Sequence, residues 1–168
     1  IPANEWQGET WREVDAASDV LLYQPQGESA RRFLTSRALL PSTLEAWHMG
    51  FMLYSPKDKP TSRIPVITIP WYDMDAGGEV ITAVKYRVMK KDSALRYFSK
   101  SGSKFDVPFG LWAALPGFHH SLLLIEGELN CLSVWQCRPD GLSVLSFGSE
   151  GGGDVRALKA IAKRYQNV

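Results

Sequence analysis

The amino-acid sequence predicts an α/β protein, in which an α+β N-terminal part precedes a strand-helix-strand-helix unit. Three observations support this class. Apolar residues recur at helical spacing after Gly27, two runs rich in β-branched and aromatic residues flank residues 75–78, and two short apolar runs after position 121 each lead into a helix-compatible segment. Since strands that alternate with helices form parallel sheets, the last observation predicts two parallel strands.

The composition is that of a globular protein. Hydrophobic residues make up 45% and charged residues 22% of the 168 positions, and the net charge of +1 does not by itself indicate a nucleic-acid or membrane partner. No apolar run is long enough to span a bilayer, and the first residues do not resemble a signal peptide. We therefore expect a cytoplasmic protein with reduced cysteines and no membrane partner. Because the chain begins with Ile1 and not with Met, we also expect a segment of a longer protein.

The chain divides into a leading segment and two subdomains. Residues 1–26 are polar with weak periodicity, which predicts a loosely structured segment whose Trp6 and Trp11 cap a core. Residues 27–117 are predicted to form the first subdomain and residues 118–168 the second.

A helical hairpin is predicted to open the first subdomain. Ala30, Phe33 and Leu34 share one face at helical spacing, and Pro41 suits the first position of a second short helix. An antiparallel β-hairpin follows at residues 64–90, where glycines supply the positive φ of a tight reversal. The remaining segments, 95–107 and 109–112, predict a short strand, a Ser/Gly loop, an extended piece and a turn.

The second subdomain begins with the apolar run SLLLI (121–125). This run shows no alternation, which predicts a parallel strand covered on both faces. Residues 128–137 are compatible with a helix, and residues 142–147 form a second apolar run. Residues 154–165 predict an amphipathic helix with Asp154 as its N-cap.

The strongest single candidate site follows SLLLI directly. Glu126 comes after the predicted strand and before Gly127. Parallel sheets bind ligands at the carboxyl ends of their strands, and glycine lets the backbone approach a ligand closely. The Glu126 carboxylate is therefore a candidate for chemistry. Glu128 is interpreted as a helix-start residue that the helix dipole favours.

Basic residues are concentrated between positions 85 and 104. Seven Lys and Arg residues lie there with one Asp, a local charge of +6. Lys85 and Arg87 alternate along the second hairpin strand and so project from one face. The aromatic residues among them are Tyr86, Tyr97 and Phe98. This mixture favours a nucleic-acid or phosphate surface over a merely solvated strand face.

Two other features do not predict a site. The glycine-rich stretch 148–154 precedes a helix but lacks the Gly-Lys-Ser/Thr of a phosphate-binding P-loop. His119 and His120 are adjacent but have no further ligands close in sequence to complete a metal site.

The segment IEGELNCLSVWQ (125–136) resembles the first motif of the TOPRIM domain of bacterial and phage primases, an apolar strand that ends in Glu-Gly. Upstream, ARRFLTSRALLPSTLEAWHMGF (30–51) is similar to the helical segment that opens the primase catalytic core. The hairpin, RYFSKSGSK and FDVPFGLW resemble the segments that follow it, in the same order. The resemblance covers residues 27–168, and EGE-x-x-x-LSV is closer to phage or plasmid primase-helicases than to the chromosomal primase.

The resemblance implies a DNA primase core, with a basic N-terminal subdomain before a TOPRIM domain that is incomplete at its C-terminal end. Such a core synthesises RNA primers on single-stranded DNA from nucleoside triphosphates, with Mg²⁺ or Mn²⁺ as cofactor and a replicative helicase as partner. By position, Glu126 is implied as a general acid/base or metal ligand and Gly127 as the motif glycine. The implied nucleic-acid or nucleotide-binding residues are Lys85, Arg87, Arg96, Lys100 and Lys104.

The chain departs from the family's pattern in its acidic residues. Asn130 stands where many primases have Asp, and the family's Asp-x-Asp and N-terminal zinc ribbon do not occur in the sequence. One glutamate does not supply the oxygen ligands that a divalent metal needs, so we expect this chain alone to be inactive. A non-catalytic single-stranded nucleic-acid-binding module is the alternative function, and a TOPRIM nuclease is a third.

Overall fold

The structure is a computed structural model that describes residues 2–75, 78–90, 93–114, 121–148, 155–163 and 165. Its helices are α1 (Asn4–Tyr23), α2 (Glu28–Ser36), α3 (Pro41–Ala46), α4 (Glu128–Trp135) and α5 (Val155–Ala162). Its strands are β1 (Gly50–Tyr54), β2 (Ile64–Asp75), β3 (Gly78–Val88), β4 (Tyr97–Ser99), β5 (Ser121–Leu124) and β6 (Leu142–Leu145). Short 3-10 helices lie at Pro25–Gly27 and Leu111–Ala113.

The strands form two sheets. One sheet has the order β1-β2-β3-β4, and the other is the parallel pair of β5 and β6. The predicted α/β class is therefore confirmed, together with the hairpin of β2 and β3. Within the described residues, no helix has the length and apolar character needed to cross a bilayer.

The residues group into two compact units. Unit 1 comprises Ile1–Pro70 and Ala83–Lys104, and unit 2 comprises Trp71–Thr82 and Phe105–Val168. The subdomain boundary predicted after residue 117 falls outside the described residues and stays a prediction.

The leading segment of unit 1 is a helix, so the prediction of a loosely structured segment is wrong. α1 runs for 20 residues. Its buried residues are Thr10, Val14, Ala17, Ser18 and Leu21. These residues lie at helical spacing on one face of α1. Two of them, Thr10 and Ser18, are polar, so the hydropathy pattern of the sequence does not show this face as apolar. Trp6 contributes to the packing of this unit, because its Nε1 donates a hydrogen bond to the carbonyl oxygen of Ser101 at 2.7 Å.

Both helices predicted after Gly27 are present, with Pro41 at the first position of α3. α2 ends in a Schellman motif, in which the backbone N of Leu39 donates to the Leu34 oxygen at 3.1 Å. The backbone N of Ala38 donates to the Thr35 oxygen at 2.8 Å in the same motif. This geometry holds Ala38 at a φ of 60°, in the left-handed region that favours glycine.

We expect the substitution Ala38→Gly to stabilise the protein. Removal of the β-carbon relieves about 1 kcal/mol of left-handed strain. The greater freedom of glycine in the unfolded chain offsets part of this gain and leaves a net stabilisation of about 0.5 kcal/mol. Urea denaturation measures the free energy of unfolding. Ala16→Gly in α1 is the matched control and should destabilise by about 1 kcal/mol, and a less stable Ala38→Gly protein would contradict the expectation.

Unit 2 contains the predicted strand-helix-strand-helix order of β5, α4, β6 and α5. Ala114, Leu122, Leu145 and Ile161 form a buried apolar cluster in this unit. The predicted N-cap Asp154, the two adjacent histidines and most of the glycine-rich stretch lie outside the described residues.

The strand β5 is not covered on both faces, so that prediction from its uninterrupted apolar run is wrong. Leu122 belongs to the buried cluster, whereas Leu123 is 40% exposed. Leu124, on the same face as Leu122, packs against the buried cluster, so this face of β5 is packed while the face of Leu123 is partly open. A strand with apolar residues on both faces can therefore have only one of these faces packed.

Candidate functional site

The first candidate site lies at the carboxyl end of β5 in unit 2. The backbone N of Ile125 donates a hydrogen bond to the Leu145 oxygen of β6 at 2.9 Å. Glu126 is the next residue, and its side chain is exposed. Gly127 has a φ of 77°. A β-carbon added at this position would have no neighbouring atom within 4 Å. The glycine therefore serves the backbone turn between β5 and α4, and a side chain at this position would be disfavoured by conformation and not by lack of space.

The next acidic residue is buried, which the sequence did not indicate. Glu128 lies in the first turn of α4, as predicted, but is only 2% exposed. Burial, together with the smaller effect of the Glu128 charge, raises the pKa of the nearby Cys131 thiol to about 12. Cys131 thus stays protonated at neutral pH, so it is not a nucleophile for this site.

The residues present at this edge do not by themselves fit a divalent metal site. The Asn130 side chain donates its Nδ2 hydrogen bond to the Glu126 backbone oxygen at 3.2 Å. No group of three or more His, Cys, Asp or Glu side chains comes together among the described residues. Since Mg²⁺ is held by several oxygen ligands, Glu126 is here a single exposed carboxylate and not a complete metal site.

The second candidate site is a basic surface in unit 1. The register of β3 and β4 places Lys85 opposite Ser99 and Arg87 opposite Tyr97. The prediction that Lys85 and Arg87 share one face is confirmed, because both reach the ring of Tyr97. The Lys85 Nζ lies 4.9 Å and the Arg87 Cζ lies 5.2 Å from the ring centroid. Arg87 also donates a hydrogen bond to the Tyr97 hydroxyl.

Two of the three aromatic residues expected on this surface lie on the other face of the sheet. Tyr86 pairs with Phe98 in the register, and their ring centroids are 5.0 Å apart. Tyr54 packs against both rings. Tyr86 is only 1% exposed, so the prediction that all three aromatics interleave with the cations as a stacking surface is wrong. Strand alternation sends Tyr86 away from its basic neighbours.

Lys100 belongs to this other face as well. Its Nζ lies 2.5 Å from Glu13 Oε2, and the Tyr86 hydroxyl donates to Glu13 Oε1 at 2.5 Å. The Lys100 side chain is 18% exposed. Burial, followed by the hydrogen bond with Glu13, raises the pKa of Tyr86. Lys100 therefore joins α1 to the sheet, and the structure does not bring it together with Lys85 and Arg87.

A cavity of about 350 Å³ opens beside Arg87 in unit 1. Its lining residues are Phe33, Arg87, Val88, Met89, Lys90 and Arg96. Among the described residues no carboxylate forms an ion pair with its three cations. The cavity is therefore a concave, positively charged site of the kind that binds phosphate groups.

Some of the residues that line the cavity were predicted from the sequence as site residues, and others were not. Arg87 and Arg96 were both predicted, and Lys90 was recognised only as part of the charge cluster. Lys104 is exposed but does not line the cavity. Phe33 was missed, because its spacing with Ala30 and Leu34 indicated a buried helix face and no local signal distinguishes it from them.

Comparisons with known proteins identify the fold. No protein-family model and no curated protein matches the sequence. The structure of the DnaG catalytic core is similar, with 17% identity and a TM-score of 0.71 over 96% of this chain and 59% of that chain. The DnaG primase catalytic domain bound to single-stranded DNA has 17% identity and a TM-score of 0.63 over 98% of this chain and 61% of that chain.

A DNA primase domain from Pseudomonas aeruginosa is also similar, with 14% identity and a TM-score of 0.68 over 95% of this chain and 58% of that chain. The chain thus has the fold of the DnaG primase catalytic core and spans about three fifths of the length of these structures. At such identities the likeness shows the fold, whereas the activity has to be argued from the sites.

Proposed function

We propose that this chain is part of a DNA primase catalytic core, which binds single-stranded DNA and synthesises RNA primers on it during replication. One observation carries the proposal: a cavity with three cations lies in a chain that has the primase core fold. One of the similar structures, the DnaG catalytic domain, was solved with single-stranded DNA bound. That complex supports the same class of ligand for this basic surface.

Phosphate contacts account for this binding better than base stacking does. Tyr97 lies on the basic surface, but Lys85 and Arg87 occupy positions close to its ring. The cations of the cavity have no ion pair among the described residues, so a nucleic acid strand does not have to displace any of the described carboxylates from them. Binding through phosphates releases condensed counterions and depends strongly on salt.

The salt dependence of binding tests this proposal. The three cavity cations alone contribute about −2 to the slope of the logarithm of the binding constant against the logarithm of salt concentration, at roughly 0.7 for each phosphate contact with a single strand. Fluorescence anisotropy of a labelled single-stranded oligonucleotide measures the slope. A slope near zero, or no binding at low salt, would contradict the proposal.

Primer synthesis joins nucleoside triphosphates, and we assign Glu126 to that reaction as a general acid/base or as a ligand of Mg²⁺ or Mn²⁺. Its exposure at the carboxyl end of β5 supports this role. A divalent ion would supply positive charge that stabilises the phosphate oxygens, and groups other than the described side chains would have to complete its ligands. A replicative helicase as partner and a cytoplasmic location belong to the same proposal.

We expect the 168-residue chain alone not to synthesise primers. Its described residues include no cluster of three or more acidic or other metal-ligating side chains, so its affinity for Mg²⁺ is expected to be weak. Incorporation of labelled nucleotides on a single-stranded template measures the activity, with the longer protein as positive control. Synthesis by the chain alone that is lost with Glu126→Gln would show that the chain holds a working site.

A non-catalytic DNA-binding module is the second candidate function. Among the residues that the structure describes, the cavity cations have no ion pair and Glu126 is a single carboxylate, and this combination favours the binding module. The longer protein separates the two candidates, because a primase incorporates nucleotides in the presence of Mg²⁺ and a binding module only retains the DNA.

A further inference from the structure

The ring of Phe33 lies beside two guanidinium groups of the basic surface. The Cζ atoms of Arg87 and Arg37 are 4.8 Å and 5.9 Å from its centroid. Tyr97 has a similar position between Arg87 and Lys85. Cations and aromatic rings therefore alternate along this surface in the order Arg37, Phe33, Arg87, Tyr97 and Lys85.

We propose that Phe33 is a positioning residue, whose ring holds the Arg87 guanidinium at the cavity so that it contacts a phosphate of the bound strand. This inference rests on the proposed function and names a residue on which binding by the same site depends. Phe33 acts through Arg87 and does not itself contact the nucleic acid.

The burial pattern of α2 shows that Phe33 is not simply a core residue. Its neighbours on the same helix face, Ala30 and Leu34, are both 0% exposed. Phe33 is only half-buried and lines the cavity. The Phe33 ring thus lies at the edge of the core, where it contacts the Arg87 guanidinium beside the cavity.

The geometry of Arg87 explains why such a ring matters. A free arginine side chain has many rotamers, and fixing it in one of them costs conformational entropy. The rings of Phe33 and Tyr97 restrict it before the ligand arrives, and the Tyr97 hydroxyl accepts one of its hydrogen bonds. The guanidinium has five N–H donors, so several are left for phosphate oxygens. Preorganisation of this kind improves affinity without a new contact.

A double-mutant cycle on DNA binding tests the inference. Phe33→Leu keeps an apolar side chain but removes the ring, and we expect the affinity for single-stranded oligothymidylate to fall about two- to fivefold, the equivalent of one cation–π contact. In an Arg87→Ala background, Phe33→Leu should cause no further loss. Phe33→Tyr keeps the ring and should retain the wild-type affinity.

The controls separate positioning from direct contact and from loss of folding. Tyr23→Leu removes an aromatic ring that is 69% exposed in the same unit, and should leave binding unchanged. Circular dichroism melting verifies that every variant is folded. An equal loss of affinity from Phe33→Leu with and without Arg87, or a loss that Phe33→Tyr does not rescue, would overturn the inference while wild-type binding stands. A wild-type protein that binds no single-stranded DNA would instead overturn the proposed function itself.

Discussion

In the longer protein, the substitution Glu126→Gln is expected to abolish primer synthesis while the melting temperature stays near that of the wild type. The reason is the position of the side chain. Glu126 is exposed at the carboxyl end of β5, and among the described residues only its backbone oxygen takes part in a hydrogen bond. A carboxylate placed in this way is accessible to a ligand and contributes little to packing. Glutamine keeps its shape but removes the negative charge and the ability to accept a proton.

Nucleotide incorporation on a single-stranded template, together with a thermal melt, measures both halves of this expectation. Asp140→Asn is the matched control, because Asp140 is an exposed carboxylate that precedes β6, at the opposite end of the same parallel sheet. It should leave synthesis unchanged. Full activity of Glu126→Gln would remove the proposed role, and a large fall in its melting temperature would show that the residue serves the fold.

Joint replacement of Lys85 and Arg87 with alanine is expected to weaken single-stranded DNA binding strongly. Each side chain can place a charge-assisted contact on a phosphate, worth about tenfold in affinity. Both cations lie on the same face of β3 next to Tyr97. Loss of two phosphate contacts should lower the magnitude of the salt slope by about 1.4, which anisotropy titrations at several salt concentrations measure directly.

A pair of lysines elsewhere in unit 1 supplies the control for net charge. Lys57 and Lys59 are exposed between β1 and β2, and their joint replacement with alanine removes the same charge from the chain. It should leave the affinity almost unchanged, since neither lysine is among the residues that line the cavity. An unchanged slope and affinity after loss of Lys85 and Arg87 would refute the assignment of this surface.

Elements defined by local patterns were predicted well. The hairpin of β2 and β3, the helix that Pro41 opens and the βαβα order after residue 121 are all present. Their signals are turn residues, a proline and runs of one residue class, which act over a few positions. The helix α1 was missed because its buried stripe includes Thr10 and Ser18. Small polar residues pack well at a helix surface but reduce the amphipathic signal.

The two candidate sites differ in how much could be predicted. The Glu126 position followed from the end of an apolar run, and the structure places it at the strand end. Its assignment to chemistry stays a prediction. The basic surface was recognised from charge and alternation, but Lys100 turned out to pair with Glu13, 87 positions away in the chain. Phe33 joined the surface from α2, a segment that showed no sign of a site.

The sequence by itself determined the class of the fold. It also determined that Lys85 and Arg87 lie on the same face of a strand and that Glu126 lies at the end of one. These follow from periodicity and from turn chemistry, because side-chain direction repeats every two residues in a strand. Only the tertiary structure decided which cations stay available for a ligand. That choice depends on partners brought close by packing, such as Glu13 beside Lys100 and Phe33 beside Arg87. Contacts between residues far apart in sequence leave no local pattern, since the folded core and not the neighbouring residues brings them together.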